Sequence, residues 1–360
     1  MNLWQSVARL HHLERVPFRD RRLASLALVA LCATGVGCAT GYALAQRDNA
    51  EIQRSSPSLP VTWYGPVEPG DKAVLARWRA GVGPEVVRSA PTTYAAPADD
   101  ITVVSWNVAI GAGDVERMAS TLPRNAALVL LLQEVYRGGP EVPSLPPAGS
   151  QFAQRHGGAR GGAHYKEIEA IGEALGLSVY YAPSMRNGRP ASSDEDRGNA
   201  ILTNLPLTDL SAIELPFERQ RRVVVAGTIS GRTARGAAWQ MRVASAHLDN
   251  RAGAKRLFVG SEYGRVRQSR ALASMFGTGP PTLLAGDFNT WFGFWDRGYT
   301  EIATAFPHTR VTDRRATFLG IMRLDHMFVR LAPGWRAEFH RGNDRFGSDH
   351  SPLIGTVSFD

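Results

Sequence analysis

The sequence predicts a layered α/β or α+β domain with β-sheets at its centre, and three observations carry that expectation. From Ile101 onward, short apolar runs bounded by turn residues recur far more often than amphipathic helical stretches. The 360 residues with 44% hydrophobic content leave room for one large core. Both cysteines, Cys32 and Cys38, lie near the N-terminus, so no disulfide or cysteine-held zinc supports the chain beyond residue 45, and any metal there is held by oxygen and imidazole.

Residues 1–22 are polar and basic, a segment expected to remain on the cytoplasmic side. Leu23 to Ala45 follows as 23 residues without a charge, enough to cross a hydrocarbon core of about 30 Å. Arginines precede this run while Asp48 and Glu51 follow it, an asymmetry that places the remaining chain outside the cytoplasm. Three fates are consistent with it: an uncleaved signal anchor, cleavage after Ala43-Leu44-Ala45, or lipidation at Cys38. Each puts the main domain on the periplasmic or extracytoplasmic side, membrane-anchored or secreted. Residues 46–98 carry Pro57, Pro60, Pro66, Pro69, Pro84, Pro91 and Pro97 and read as a linker. Trp63, Tyr64 and a helical stretch over Lys72 to Ala80 suggest that part of it docks. The catalytic domain is expected over residues 99–360.

Within that domain the candidate strands are Ile101 to Trp106, Ala127 to Leu132, Ser178 to Ala182, Ala200 to Thr203 and Val223 to Ile229. They continue with Gln240 to Ala246, Thr282 to Ala285, Asp325 to Val329 and Leu353 to Val357. Candidate helices cover Val115 to Leu122, His164 to Leu175, Lys255 to Phe276 and Asp296 to Ala305. The formal charge is +8, of which residues 1–45 supply +3 (five arginines against Glu14 and Asp20), so the rest is too mildly basic to require a nucleic-acid partner. No protein partner is evident.

Polar residues collect at strand ends, where open sheets place their ligand sites. Asn107 closes VVSWN, Glu134 closes LVLLLQE, and His247 closes MRVASAH with Asn250 just beyond. LLAGDFN, Leu283 to Asn289, presents Asp287 and Asn289 two positions apart, hence on one face of a strand end. Asp325 opens DHMFV, and Asp349-His350 precedes LIGTV. Singly, each has an ordinary structural explanation: a turn asparagine, an edge acid beside Arg137, a core histidine, an Asx turn. A carboxylate next to a run as apolar as Met327-Phe328-Val329 does need a partner.

The motifs WN, QE, GNAIL (Gly198 to Leu202), HLDN, GDFN, LDHMF and SDHSPL, in this order, resemble the endonuclease/exonuclease/phosphatase superfamily, the deoxyribonuclease I-like proteins. The resemblance covers about residues 99–360. It implies a four-layered sandwich of two packed β-sheets flanked by helices, and metal-dependent hydrolysis of phosphoric esters with magnesium, or manganese as a substitute. By the same resemblance Glu134 is the magnesium-binding glutamate, with Asn107 and Asp349 beside the metal. His247 and Asn250 contact the scissile phosphate, Asp287 orients or deprotonates the attacking water, and Asn289 holds a phosphate oxygen. His350 stabilises the phosphorane and Asp325 orients it. His326, on the opposite face of its strand, is read as structural.

These roles agree with phosphate-ester chemistry, which needs positive charge on the non-bridging oxygens, a positioned water and help for the leaving group. A phosphodiester is expected first, in nucleic acid or a phospholipid head group. A phosphomonoesterase and a catalytically silent phosphate-binding module are the alternatives. After Asn107 the chain reads VAIGAGD, unlike exonuclease III-type enzymes, which argues against abasic-site repair. The aromatic run Trp291 to Trp295 next to GDFN suits stacked bases, a lipid surface or simple packing of the loop.

Overall fold

The computed structural model describes residues 41–47, 61–91, 94, 96–143, 166–187, 195–250 and 261–359. Residues 42–360 form one compact unit. Its centre is a pair of seven-stranded sheets, each with an outer face covered by helices.

The first sheet runs β1 (Leu44–Gln46), β2 (Thr62–Pro66), β8 (Leu207–Glu214), β9 (Val223–Arg232), β10 (Ala238–His247), β11 (Thr282–Asp287) and β12 (Asp325–Arg330). The second runs β13 (Arg336–Arg341), β14 (Leu353–Ser358), β4 (Asp100–Asn107), β5 (Leu128–Gly138), β7 (Glu195–Thr203), β6 (Ser178–Arg186) and β3 (Val86–Arg88). Helices α1 (Pro69–Arg79), α2 (Val115–Ala119), α3 (Ile168–Leu175), α4 (Ser261–Phe276) and α5 (Arg297–Ala305) complete the order.

Strand alternation explains the layers. Ile101 and Val103 of β4, Val129 and Leu131 of β5, Met241 and Val243 of β10, Leu283 and Ala285 of β11, and Met327 and Val329 of β12 meet between the sheets. Val104, Trp106, Leu130 and Leu132 turn outward with Val115, Met118, Ile168 and Ile171 of α2 and α3. Leu284 and Phe328 turn outward with Leu272, Phe276 and Ile302 of α4 and α5. The result is helix, sheet, sheet, helix.

Several expectations need correction. The proline-rich stretch expected as a linker enters both sheets: β2 pairs in parallel with β8, and β3 pairs with β6. Its partner β1 includes Leu44 and Ala45, which were expected to end the membrane span. Arg47, just past β1, is buried and lies 3.2 Å from the fully buried Glu214. The span itself falls almost wholly outside the described residues, as does Cys38; among the described residues no helix is long and apolar enough to cross a membrane. β8 and β13 were not foreseen, because LTDLSAIE and RAEFHR carry too many charged and polar residues to read as core strands. β13 is an edge strand, where such residues are favoured.

One glycine is dictated by packing. Gly286 in β11 has φ 151°, and a Cβ there would lie 1.8 Å from the Ala246 carbonyl oxygen of β10. The strand carrying Asp287 closes on its neighbour only because position 286 has no side chain.

Candidate active site

Three neighbouring strands of the first sheet end together. His247 of β10 pairs with Asp287 of β11, which pairs with Asp325 of β12. All three continue inward-facing rows: Met241, Val243, Ser245, His247 on β10, Leu283, Ala285, Asp287 on β11, and Val329, Met327, Asp325 on β12. The second sheet brings Asn107, at the end of the inward row Ile101, Val103, Ser105. The two sheets therefore meet in polar chemistry at one end: Asn107 Nδ2 donates to Asp287 Oδ2 at 3.0 Å. Beneath them Gln133 Nε2 donates to Ser245 Oγ at 2.9 Å, and Ser245 Oγ donates to the Leu132 carbonyl at 2.8 Å.

Glu134 obeys a different rule. It does not end its strand as expected; β5 continues to Gly138 past a bulge between Leu132 and Val135. Strict alternation would send Glu134 outward with Leu130 and Leu132. Instead it adopts φ 54° in the bulge, a left-handed conformation that costs about 1–3 kcal/mol and redirects the side chain. Its Oε1 lies 3.9 Å from His247 Nδ1 and its Oε2 3.7 Å from Arg197 Nη1. Its side chain is 18% exposed, against 2–6% for Arg197 and His247.

Asp287 is held from several sides. Besides Asn107, the Asn289 backbone N–H donates to Oδ1 at 2.9 Å, His247 Nε2 stands 3.4 Å from Oδ2, and His350 Nε2 stands 3.7 Å away. Burial, and the Asp325 charge after it, push its carboxyl up to about 7 against the pull of His350. Asn289 takes φ 50° and donates Nδ2 to the Leu248 carbonyl at 2.9 Å, so it braces the turn that aims Asp287.

His350 Nδ1 hydrogen-bonds to Asp325 Oδ2 at 2.8 Å. Burial opposes protonation, but Asp325 and Asp287 outweigh it and raise the imidazole to about 10, so at neutral pH it is an imidazolium. Its backbone is fixed by Ser348 Oγ, which accepts the His350 N–H at 3.0 Å and donates to the Asn107 carbonyl at 2.7 Å. Trp106 Nε1 donates to the His350 carbonyl at 3.0 Å. His247 behaves oppositely: burial, then the charges of Arg222, Arg197 and His350, lower it well below its ordinary value, leaving it neutral.

Asp287, Asp325 and His350 offer ligand atoms within 4.8 Å of one another, close enough in principle for one cation. Two of the three groups are already engaged with each other, His350 Nδ1 bonding Asp325 Oδ2 at 2.8 Å. Glu134 and the Asn107 carbonyl oxygen are better suited. Asn107 ends β4 opposite Gln133 of the parallel strand β5, the residue just before Glu134 in the bulge. One carboxylate, one carboxamide oxygen and retained waters form the donor set that a hard divalent cation such as magnesium takes. The Asn107 oxygen also accepts the Ala109 N–H at 3.0 Å, which fixes its direction.

Asp349 is half-buried beside His350, and its backbone carbonyl accepts the Leu319 N–H at 2.9 Å. Asn250 meets the site through its backbone, which accepts Trp291 Nε1 at 2.9 Å. His326 faces outward as expected, with Nε2 2.7 Å from Thr290 Oγ1 and Phe288, Phe294, Tyr299 and Phe328 around its ring. Glu134 does not pair with Arg137, which is bound to Asp196. Arg197 and Arg222, both buried, were missed. Their signal was a charge directly before an apolar run, in RGNAIL and in RRVVV.

The model of the endonuclease/exonuclease/phosphatase family matches residues 104–350, more than half of the chain. The chain belongs to this family. Its members, as the family's name states, are endonucleases, exonucleases and phosphatases, all of them hydrolases of phosphoric esters. No curated protein sequence matched the chain. Among solved structures, an endonuclease/exonuclease/phosphatase from Beutenbergia cavernae shares the fold at TM-score 0.51 and 18% identity, covering 72% of this chain and 72% of that one. A family protein from Leptotrichia buccalis is similar at TM-score 0.48 and 15% identity, over 72% of this chain and all of that one (100%). Sphingomyelinase C from Streptomyces griseocarneus is similar at TM-score 0.43 and 13% identity, over 72% and 99%.

Proposed function

We propose that this family member is a magnesium-dependent phosphodiesterase in which Asp287 directs a water at phosphorus and the His350 imidazolium receives the developing charge. The observation that supports the reading most strongly is the juxtaposition of Asp287 with a histidine ring that Asp325 holds at 2.8 Å. His350 is raised to about 10 and Asp287 to about 7, their nearest atoms 3.7 Å apart. Near neutral pH an ionised fraction of Asp287 is basic enough to accept a proton from water while His350 remains a cation. Water's oxygen forms the new bond to phosphorus, the bond to the leaving oxygen breaks, and the proton from water passes to Asp287.

Glu134 and Asn107, with Asp349 beside them, would hold magnesium, which when bound would supply positive charge to the non-bridging oxygens. Asn107 ties the metal side to the base by its bond to Asp287. Neutral His247 offers a hydrogen bond to the scissile phosphate. Asn250 is proposed to reach that phosphate from the turn after β10, and Asn289 by its second amide hydrogen. The guanidiniums of Arg197 and Arg222 near His247 also suit the extra charge of a phosphomonoester, so mono- and diester substrates need side-by-side comparison.

Chelation is expected to abolish hydrolysis of bis(4-nitrophenyl) phosphate, with magnesium or manganese restoring it. Glu134→Gln is expected to weaken magnesium binding by calorimetry about 10–100-fold, the scale of losing a site group. Unchanged magnesium affinity in Glu134→Gln would remove Glu134 from the metal site.

The domain is proposed to act outside the cytoplasm, held by an uncleaved segment 23–43. Retention is favoured over cleavage after Ala45, since that cut would divide β1 just before buried Arg47. Alkaline phosphatase fused after residue 60 should be active and a cytoplasmic reporter silent; the reverse pattern would place the domain inside.

A further inference from the structure

We infer that the catalytic mouth carries its own lipid-docking surface, formed by the turn after Asn289 and the hairpin before Asp325, which seats the site on an anionic bilayer. The inference rests on the phosphodiesterase reading and narrows its substrate to a phospholipid head group.

Asp287 ends β11 where Asp325 begins β12, as direct antiparallel partners. The chain leaving the one and the chain entering the other therefore emerge from the same end of the same strand pair. The first makes a single 3-10 turn, Gly293–Trp295. The second makes a tight hairpin in which Phe318 pairs with Met322. They are packed together: Thr290 Oγ1 donates to the Arg323 carbonyl at 3.1 Å, and the Arg323 guanidinium lies 5.4 Å from the Phe294 ring. The hairpin also touches the active site, with the Phe318 ring 4.9 Å from that of His350.

Among the described residues, five large hydrophobic side chains are exposed, and four of them are on these two loops: Phe292 (49%), Trp295 (90%), Leu319 (47%) and Ile321 (76%). Packing explains the other rings of the aromatic run. Trp291 is tied to the Asn250 carbonyl, and Phe294 packs edge-on against Tyr299 and His326. Phe292 and Trp295 are left outward with no comparable cover. An exposed apolar group at a catalytic mouth is costly unless something covers it.

The occupant is decided by chemistry. Aromatic rings alone would suit unstacked bases, but Leu319 and Ile321 have no π-face and gain nothing from stacking. Aliphatic and aromatic tips together with arginines are the mixture found at a membrane interface. Arg314 and Arg323 bracket Phe294 at 5.3 and 5.4 Å. Acids nearby are already engaged: Asp313 by Arg315, Asp296 by Arg265 and Glu301 by Arg270. This balance matches a negatively charged lipid surface.

The test uses the full chain reconstituted into phosphatidylcholine vesicles containing phosphatidylglycerol. In a Cys32→Ala, Cys38→Ala background, a fluorophore is attached through Ile321→Cys or, as control, through Glu338→Cys on β13. Doxyl-labelled lipid is expected to quench the label at 321 and leave that at 338 bright. Phe292→Ser, Trp295→Ser, Leu319→Ser and Ile321→Ser together should lower hydrolysis of vesicle phospholipid at least tenfold and leave soluble bis(4-nitrophenyl) phosphate turnover within about twofold, a split that buried-area loss at an interface predicts. Equal quenching at 321 and 338, absence of quenching at 321, or equal loss on both substrates overturns the docking surface. Quenching at 321 by single-stranded DNA but not by lipid would assign the loops to nucleic acid instead. Absence of soluble phosphodiester turnover in the unmutated chain would instead overturn the underlying reading, whatever the quenching shows.

Discussion

Asp287→Asn is expected to lower kcat on a chromogenic phosphodiester by on the order of 10³-fold while the protein becomes no less stable. The carboxamide keeps the shape of the side chain and removes the carboxylate proposed to take a proton from water. The stability side follows from the same environment. Burial raises the Asp287 carboxyl to about 7 from an ordinary 3.8, so in the metal-free protein its ionisation is disfavoured by folding. Its contribution is therefore intact below about pH 4 and is progressively lost as pH rises toward 7. Removing the charge should raise the thermal midpoint of the metal-free protein at pH 8 and leave it unchanged near pH 4. A fall in midpoint at pH 8 would show that the carboxylate supports the fold instead of straining it.

The second large effect belongs to Asp325. Asp325→Asn removes the largest charge that holds His350 as an imidazolium, so the His350 value should fall from about 10, read from its ring resonances across a pH titration. Activity at pH 7 should fall on the order of 10²–10³-fold, as for loss of a preorganised charge at the transition state. Folding stability should also change with pH in a defined direction. His350 is raised above its ordinary 6.5, so the pair's contribution is complete below about pH 6.5 and lost as pH rises through about 10. The stability difference between wild type and Asp325→Asn should shrink across that window. Because both groups are buried, leaving the ring without its partner costs about 3–5 kcal/mol if it stays charged. A His350 value unmoved by the substitution would show that Asp325 is not its partner.

Most of this site could be read in the sequence because most of it obeys strand parity. Asp287, His247, Asn107 and Asp325 each continue an apolar inward-facing row, so the alternation that builds the core also aims the candidate catalytic groups. The same parity placed His326 outward, among the rings over α5. Glu134 broke the rule through a bulge, and nothing in LVLLLQE announces one before Gly138. It was expected among the site groups as a strand-end residue, but β5 runs on to Gly138, and the bulge is what turns it there.

Other departures have local causes. Prolines in residues 46–98 argued for a linker, yet Pro66 ends β2 and Pro69 begins α1, both positions where proline is tolerated. Trp63, packed in the central core with Nε1 3.4 Å from Glu85 Oε1, was the better guide. The arginines at 197 and 222 escaped notice because a buried charge facing an acid, Glu134 at 3.7 Å and Asp249 at 3.9 Å, looks in sequence like any turn charge. Asn250 was read as a phosphate contact from its motif, whereas the contact the structure shows is the backbone bond to Trp291.

The central claim is that water positioned by Asp287 attacks phosphorus. Turnover of bis(4-nitrophenyl) phosphate in ¹⁸O-labelled water with magnesium tests it most directly. One ¹⁸O atom is expected in the nitrophenyl phosphate product and none in the nitrophenol, with the rate of label incorporation falling on the order of 10³-fold in Asp287→Asn. Label in the nitrophenol, or an undiminished rate of incorporation by Asp287→Asn, would contradict it.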